Sequence, residues 1–302
     1  MRVVISGASG LIGTALTQSL RADEHEVIAL VRRAPRGPFE SQWDPAEGTI
    51  DQDVVQSADV VVNLAGASIG TKRLTDSYKA VVKKSRLDST GLIARAYAPR
   101  TGGVLISGSA MGFYGNRDDE VLNERSEPGD TFLSDIAVAW EEAAAPAVEA
   151  GIRTVYIRSG LVLAAEGGFA ARLLPLVKRG LLGGLGGSNP WHAWITLHDE
   201  IRAIRFLIDS DHSGPANIIA PSSVRDRDLM KAMSAVVGKR TGLVVPAWAL
   251  GIAVGPAIDD MLSSQNARPG VLSRLGFEWD HSTIDEAAAW VMTQAGLAPH
   301  AM

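Results

Sequence analysis

The sequence predicts an α/β fold of the Rossmann type, a doubly wound parallel sheet followed by a smaller mixed α/β C-terminal lobe. Three observations predict it. Short runs rich in Val, Ile and Leu alternate with longer amphipathic stretches through the first half, the pattern of parallel strands buried on both faces and joined by crossover helices. A glycine-rich turn, Gly7-Ala8-Ser9-Gly10-Leu11-Ile12-Gly13, separates the first apolar run from the first amphipathic stretch. Beyond Leu163 the texture changes to crowded glycines and then to mixed elements.

Strands are expected at residues 3–6, 26–32, 59–64, 103–107 and 154–157, four of them near-continuous Val, Ile and Leu. Helices are expected at 14–22, at roughly 75–98 and at 134–150, the last rich in Ala and Glu and ended by Gly151. Gly167, Gly168, Gly180, Gly183, Gly184, Gly186 and Gly187 crowd among apolar residues and read as a mobile, functional loop region. A helix from Asp199, a strand at 216–220, a helix from Asp226 and a C-terminal helical group from Pro246 complete the chain. Residues 1–163 then form a nucleotide-binding domain, whose sheet later residues can extend. Residues 164–302 form a substrate lobe against the C-terminal edge of the sheet, with 246–302 as its helical end.

With 302 residues, 46% hydrophobic and 21% charged, the chain has the balance of a globular protein. A net charge of -5 without a basic tract excludes a general nucleic-acid binder, which needs surplus Lys and Arg on one face. Cysteine is absent, which excludes disulfides, thiolate metal sites and a Cys nucleophile, and no metal is expected. Arg2 leads directly into a strand with no signal-peptide pattern, and no apolar run of about 18 residues follows. These features read as a cytoplasmic protein without a membrane partner.

The turn lies between a strand and a helix, the context that makes a glycine motif informative. Gly7 permits the tight turn, Gly10 lets backbone approach a pyrophosphate, and Gly13 lets helix and strand pack closely, with phosphates at the helix N-terminus and Ser9 within the same loop. The second strand ends in Arg32 and Arg33, about 25 residues past Gly7, where an NAD-specific protein places an acid. Two guanidinium groups suit a 2′-phosphate, so NADP(H) is expected as cofactor. A further turn, Asn63-Leu64-Ala65-Gly66, offers small residues and backbone to the adenosine side.

GASGLIG, NLAG and ISGSAMGFYG together resemble an extended short-chain dehydrogenase/reductase. More narrowly, the chain resembles the atypical, epimerase-like (NAD-dependent epimerase/dehydratase-type) family whose C-terminal region is a conserved domain of unknown function. Further matches are Ser85-Arg86-Leu87, Phe132-Leu133 with Trp140-Glu141, the run from Arg158 to Leu163, the glycine-rich stretch, Trp194 to Asp199, Asn217 with Ala220-Pro221, and Gln265 with Arg268-Pro269. The resemblance implies cofactor contacts at Gly7, Gly10, Leu11, Ile12, Gly13, Arg32, Leu64, Ala65, Arg86 and Val162. Arg86 has two readings of its own, a guanidinium reaching back to the dinucleotide or its loop, and a surface salt bridge.

The superfamily resemblance also implies a catalytic Ser with a Tyr-x-x-x-Lys helix, in which Tyr carries the proton. Ser109 matches the Ser position, with Ser107 the other choice. Leu133 stands at the Tyr position and Ala137 at the Lys position, and neither can carry a proton. A displaced carrier would be Tyr114, or His192, His198 or Asp199, although Asp199 also reads as the N-cap of its helix, His198 as packing and His192 as a loop histidine. Two accounts follow: an oxidoreductase or epimerase-like enzyme acting on an unknown small molecule, or an NADP(H)-binding redox sensor or scaffold without turnover. Superfamily relatives pair through the helices equivalent to 75–98 and 134–150, which makes a homodimer an expectation of the resemblance.

Overall fold

The computed structural model describes residues 1–69, 72–246 and 262–297. Eight strands form the central sheet, in the order Gly214–Ile218, Arg153–Ser159, Val104–Ala110, Val60–Asn63, Arg2–Ser6, Glu26–Val31, Glu40–Asp44, Thr49–Ile50. All neighbours pair in parallel except the last two, which form an antiparallel edge. The order reverses between Arg2–Ser6 and Val60–Asn63, and the reversal opens a crevice at the C-terminal ends of those two strands.

Strand residues alternate between two cores, because successive side chains point to opposite faces. Val3, Ile5, Val60, Val62, Ile106, Val155 and Ile157 pack with Leu16 and Leu20 of the helix Leu11–Ala22 and with Ile201 and Ile204 of the helix Leu197–Asp209. Val4, Ile28, Val61 and Leu105 face the other way, against Ile93 and Tyr97 of the helix Asp76–Tyr97. A third core, with Leu163, Leu174, Val177, Trp194, Leu229, Met233 and Val291, joins the helices Gly168–Lys178, Asp226–Val236 and Ile284–Gln294. No described helix is long and apolar enough to cross a membrane.

The five expected strands are present, with ends shifted by no more than three residues. Glu40–Asp44 was not expected, because its sequence is mostly polar; parallel pairing with Glu26–Val31 and burial of Ser41 and Trp43 hold it to the sheet. The expected strand at 216–220 runs instead over Gly214–Ile218, beside Arg153–Ser159, and Ala220 leaves the sheet to donate its N–H to the Trp194 carbonyl (2.6 Å). The expected helix 134–150 is two helices, Phe132–Glu142 and Ala145–Glu149, with Pro146 in the first turn of the second, where a missing N–H costs nothing. The glycine-rich stretch read as loop holds a helix, Gly168–Lys178, and a strand, Leu182–Gly186, paired in parallel with Leu243–Pro246. Much of the helical group expected from Pro246 lies outside the described residues; beyond it stand Gly270–Leu275 and Ile284–Gln294.

Gly13 lies in the first turn of its helix, directly against the preceding loop: a Cβ there would overlap the Gly7 carbonyl oxygen. Gly37, by contrast, has open space around its Cβ position and no left-handed backbone. Gly13→Ala is expected to lower unfolding free energy by roughly 1 to 3 kcal/mol through overpacking, and Gly37→Ala to leave it within about 0.5 kcal/mol. Urea denaturation of both variants decides it, and equal midpoints would remove the close-packing role given to Gly13.

Candidate functional site

The crevice is built from the two strand ends that flank it. Gly7 adopts a left-handed φ of 72°, and a Cβ there would stand 2.7 Å from the Leu64 carbonyl carbon and oxygen and 3.0 Å from the Ala65 nitrogen. The two loops therefore touch through backbone. At Gly10, whose N–H donates to the Gly7 carbonyl (2.9 Å), a Cβ would meet only that carbonyl oxygen, at 3.3 Å. Buried hydrogen bonds fix the strand ends: Ser6 Oγ donates to Asn63 Oδ1 (2.5 Å), Asn63 Nδ2 donates to Thr90 Oγ1 (2.7 Å), and Trp140 Nε1 donates to the same hydroxyl (2.8 Å).

From this junction a cleft of about 1050 Å³ opens toward Glu26–Val31, lined in part by Gly7, Ser9, Gly10, Leu64, Ala65 and Gly66. Arg21, Arg32, Arg33 and Arg36 also reach it. The two adjacent arginines have different fates. Arg33 is bound bidentately to Glu40 (2.7 and 2.5 Å), which also accepts from the Arg36 backbone N–H (2.6 Å). The Arg33 guanidinium and that N–H hold the Glu40 carboxyl down to about 2. Arg32 is exposed and, among the described residues, has no ion pair or hydrogen bond.

Arg86 reaches back beneath the loop after Val60–Asn63. Its Nη1 donates to the carbonyls of Ala67 (3.0 Å) and Val82 (3.1 Å), and its guanidinium lies 4.8 Å from the centroid of the Trp140 ring. Among the described residues it has no salt bridge, and burial lowers its pKa to about 10. Gly66 leaves the room it occupies, since a Cβ there would stand 3.2 Å from the guanidinium carbon. At the helix start, Leu11 faces the Cβ positions of Gly167 (3.3 Å) and Gly168 (3.5 Å), with the Val162 carbonyl also 3.4 Å from the latter. Ile12 and Val162 pack against the adjoining core. The chain after Arg153–Ser159 thus folds over the helix start.

Ser109 begins a polar network that sequence reading did not assemble. Its hydroxyl donates to Glu141 Oε1 (2.6 Å), and Arg158 grips the same carboxylate through Nε (2.8 Å) and Nη2 (2.9 Å). Arg158 Nη1 donates to the Tyr114 hydroxyl (2.9 Å), and Tyr114 donates to Asn217 Oδ1 (2.8 Å). Expected as a displaced proton carrier, Tyr114 is a wholly buried tie between the turn Met111–Tyr114 and Gly214–Ile218, and burial pushes its phenol pKa up. Ser107 lies inside the sheet opposite Asn63, also wholly buried. Glu141 and Arg158 entered the sequence reading only as parts of matched motifs. The available signal was an acid and a base set in otherwise apolar segments.

The remaining candidates hold the second lobe. His192 Nε2 faces Asp226 Oδ1 (3.0 Å), and His198 Nε2 faces Asp280 Oδ2 (2.6 Å). Asp199 is not the N-cap of its helix. Thr196 takes that role, its hydroxyl accepting from the Asp199 N–H (3.2 Å), and the Asp199 carboxylate instead accepts from the backbone N–H groups of Asp280 (3.0 Å) and His281 (2.9 Å). One residue on, Glu200 is completely buried. Ser159 Oγ donates to its Oε1 (2.5 Å), its Oε2 has no partner, and burial pushes its pKa up to about 8.

A sequence model described as the NAD dependent epimerase/dehydratase family matches residues 3–220, and one described as a domain of unknown function matches residues 245–291. An epimerase family protein of Mycobacterium bovis is 39% identical over 296 residues, covering 97% of this chain and 98% of its own. The crystal structure of human epimerase family protein SDR39U1 with NADPH superposes with a TM-score of 0.86 at 29% identity, covering 97% of this chain and 99% of that one. A nucleoside-diphosphate sugar epimerase from Corynebacterium glutamicum superposes with a TM-score of 0.80 at 34% identity, over 100% of this chain and 59% of that one.

Burial of Glu200 sets a pH dependence of stability. Its folded pKa is raised from 4.5 to about 8, so the folded chain keeps a proton that the unfolded chain releases. The contribution is complete below about pH 4.5 and is lost as pH rises toward 8. Glu200→Gln, always neutral, is expected to lose less melting temperature than the wild type between about pH 5 and 8, measured by differential scanning calorimetry. Parallel curves for the two proteins would refute the burial effect.

Proposed function

Since the chain belongs to the NAD dependent epimerase/dehydratase family, we propose that it binds NADP(H) in the cleft beside Gly7 and Gly10 and acts as an oxidoreductase or epimerase-like enzyme on a small molecule. The observation that carries the cofactor reading is Arg32, an uncompensated guanidinium at the cleft end where an acid would favour NAD(H). Glu40, the acid nearby, is neutralised by Arg33. The glycine positions fit the same group: Gly10 lines the cleft with space at its Cβ position, and the helix Leu11–Ala22 that it caps has no side-chain cap, leaving its N-terminus suited to a pyrophosphate. The human relative solved with NADPH supports the choice.

When bound, NADP(H) would supply or accept a hydride at a substrate carbon. The chain's own contribution centres on Ser109. With its hydrogen directed to Glu141, Ser109 Oγ keeps lone pairs to accept a substrate hydroxyl. In the oxidising direction the substrate proton moves to Ser109 Oγ as the Ser109 proton moves to Glu141 Oε1; reduction reverses both transfers. Arg158 holds that carboxylate in place through two hydrogen bonds. This arrangement does without Tyr and Lys at positions 133 and 137. The sugar-nucleotide epimerase relative makes nucleoside-diphosphate sugars the first substrates to test.

One feature favours a second reading, binding without turnover as a redox sensor. Leu133 and Ala137 replace the usual proton-carrying pair with packed apolar side chains, Leu133 against the Gly112 turn and Ala137 in the core around Met111.

Two measurements test the proposal. By fluorescence titration, NADPH is expected to bind at least about tenfold tighter than NADH, with Arg32→Ala removing most of the difference, as loss of a charge-assisted contact worth about 1.5 to 3 kcal/mol implies, and Arg33→Ala removing less. Equal affinities for the two cofactors would sink the NADP(H) assignment. With C4-deuterated NADPH and a panel of carbonyl compounds and sugar nucleotides, label transfer is expected in the wild type and a loss of about 100-fold or more in Ser109→Ala and Glu141→Gln. Tight binding with no transfer across the panel would favour the sensor.

A further inference from the structure

Glu200 is a buried acid that the proposed chemistry does not use. Its carboxyl lies in the first turn of Leu197–Asp209, joined to Ser159 at the C-terminal end of Arg153–Ser159, and one of its oxygens has no partner. The charged groups on the elements packed around it are committed elsewhere. On its own helix, Asp199 is paired with Arg202 (2.9 Å) and binds the Asp280 and His281 N–H groups. His281 faces Thr196 and Asp199. On the strand, Arg158 is turned to Glu141 and Tyr114. Burial raises the Glu200 pKa and outweighs the Ser159 hydroxyl, which favours the charged form, so the carboxyl is held largely neutral at physiological pH.

Its place relative to a dinucleotide follows from the topology. The glycine turn fixes the phosphates at the start of Leu11–Ala22, and Arg32 lies to one side, at the end of Glu26–Val31. The nicotinamide half must run the other way, over the ends of Val60–Asn63, Val104–Ala110 and Arg153–Ser159, three strand spacings or roughly 14 Å. Ser159 pairs with Ala110, next to Ser109, and the chain that follows it returns over Leu11. The Ser159–Glu200 pair therefore stands at the strand end over which the nicotinamide half would lie.

Resting on the NADP(H) reading above, we propose that Glu200 senses the charge of the nicotinamide ring: it ionises when the oxidised, cationic ring binds and keeps its proton when the reduced, neutral ring binds. NADP⁺ binding then releases a proton to solvent and NADPH binding does not. Among the described residues no cation offsets this buried carboxylate, and the oxidised ring supplies one. The consequence is a pH-dependent preference between the two redox forms of one cofactor.

The test needs no substrate. Dissociation constants of NADP⁺ and NADPH are measured by calorimetry from about pH 6.5 to 8.5 for the wild type and Glu200→Gln; the 2′-phosphate is common to both cofactors and cancels in their ratio. In the wild type, NADP⁺ is expected to gain on NADPH as pH rises toward 8, by at most about tenfold per pH unit. Proton uptake in paired buffers should show release on NADP⁺ binding alone. Glu200→Gln, which preserves the shape and the Ser159 contact, should bind both forms with a flat ratio and no release. A flat ratio in the wild type, or an unchanged slope in the variant, overturns the inference while leaving cofactor binding intact. Failure to bind either cofactor overturns the NADP(H) reading and this inference with it.

Discussion

The backbone contact between Gly7 and the Leu64-Ala65 peptide is the constraint on which the rest of the site depends. Two parallel strands that diverge in connectivity can bring their following loops this close only if no Cβ intervenes. Asn63 then serves both sides, accepting from Ser6 on one strand and donating to Thr90 on the helix behind. Trp140 reaches the same Thr90 hydroxyl and also carries the face on which Arg86 rests. A shift at the junction would be felt from the phosphate turn to the helix Phe132–Glu142, because these groups are buried and leave no water to replace a lost partner.

The two ends of the crevice use charge in opposite ways. At the Arg32 end, exposed guanidinium groups outnumber acids, and one of the pair is consumed by Glu40, leaving the other without a partner among the described residues. Around Ser109 the charges are buried and balanced: Glu141 and Arg158 neutralise each other, Arg158 stands on the strand beside Ser109, and the Ser109 hydroxyl donates to Glu141. Glu200 stays neutral because nothing balances it. An exposed, unmatched cation is cheap to keep in water, whereas buried charge persists only when paired.

Local patterning made the parallel strands legible. Val3, Val4 and Ile5, or Val60, Val61 and Val62, are apolar on both faces, which happens only where helices cover both sides of a sheet. Glu40–Asp44 was invisible for the same reason in reverse, since two buried residues in five give no pattern. The glycines beyond residue 166 misled the reading toward loop; Gly183 and Gly242 are there because Leu182–Gly186 and Leu243–Pro246 run too close for side chains.

By itself the sequence determined the α/β class, the glycine-rich turn after the first strand and the basic end of the second strand, because each is specified by residues within a few positions of one another. The tertiary structure alone decided that Arg32 is free while Arg33 is bound to Glu40, that Tyr114 is a buried tie, and that Ser109, Glu141 and Arg158 meet. Those outcomes depend on hydrogen bonds between strands and helices brought together by crossovers, and on burial that no local spacing encodes.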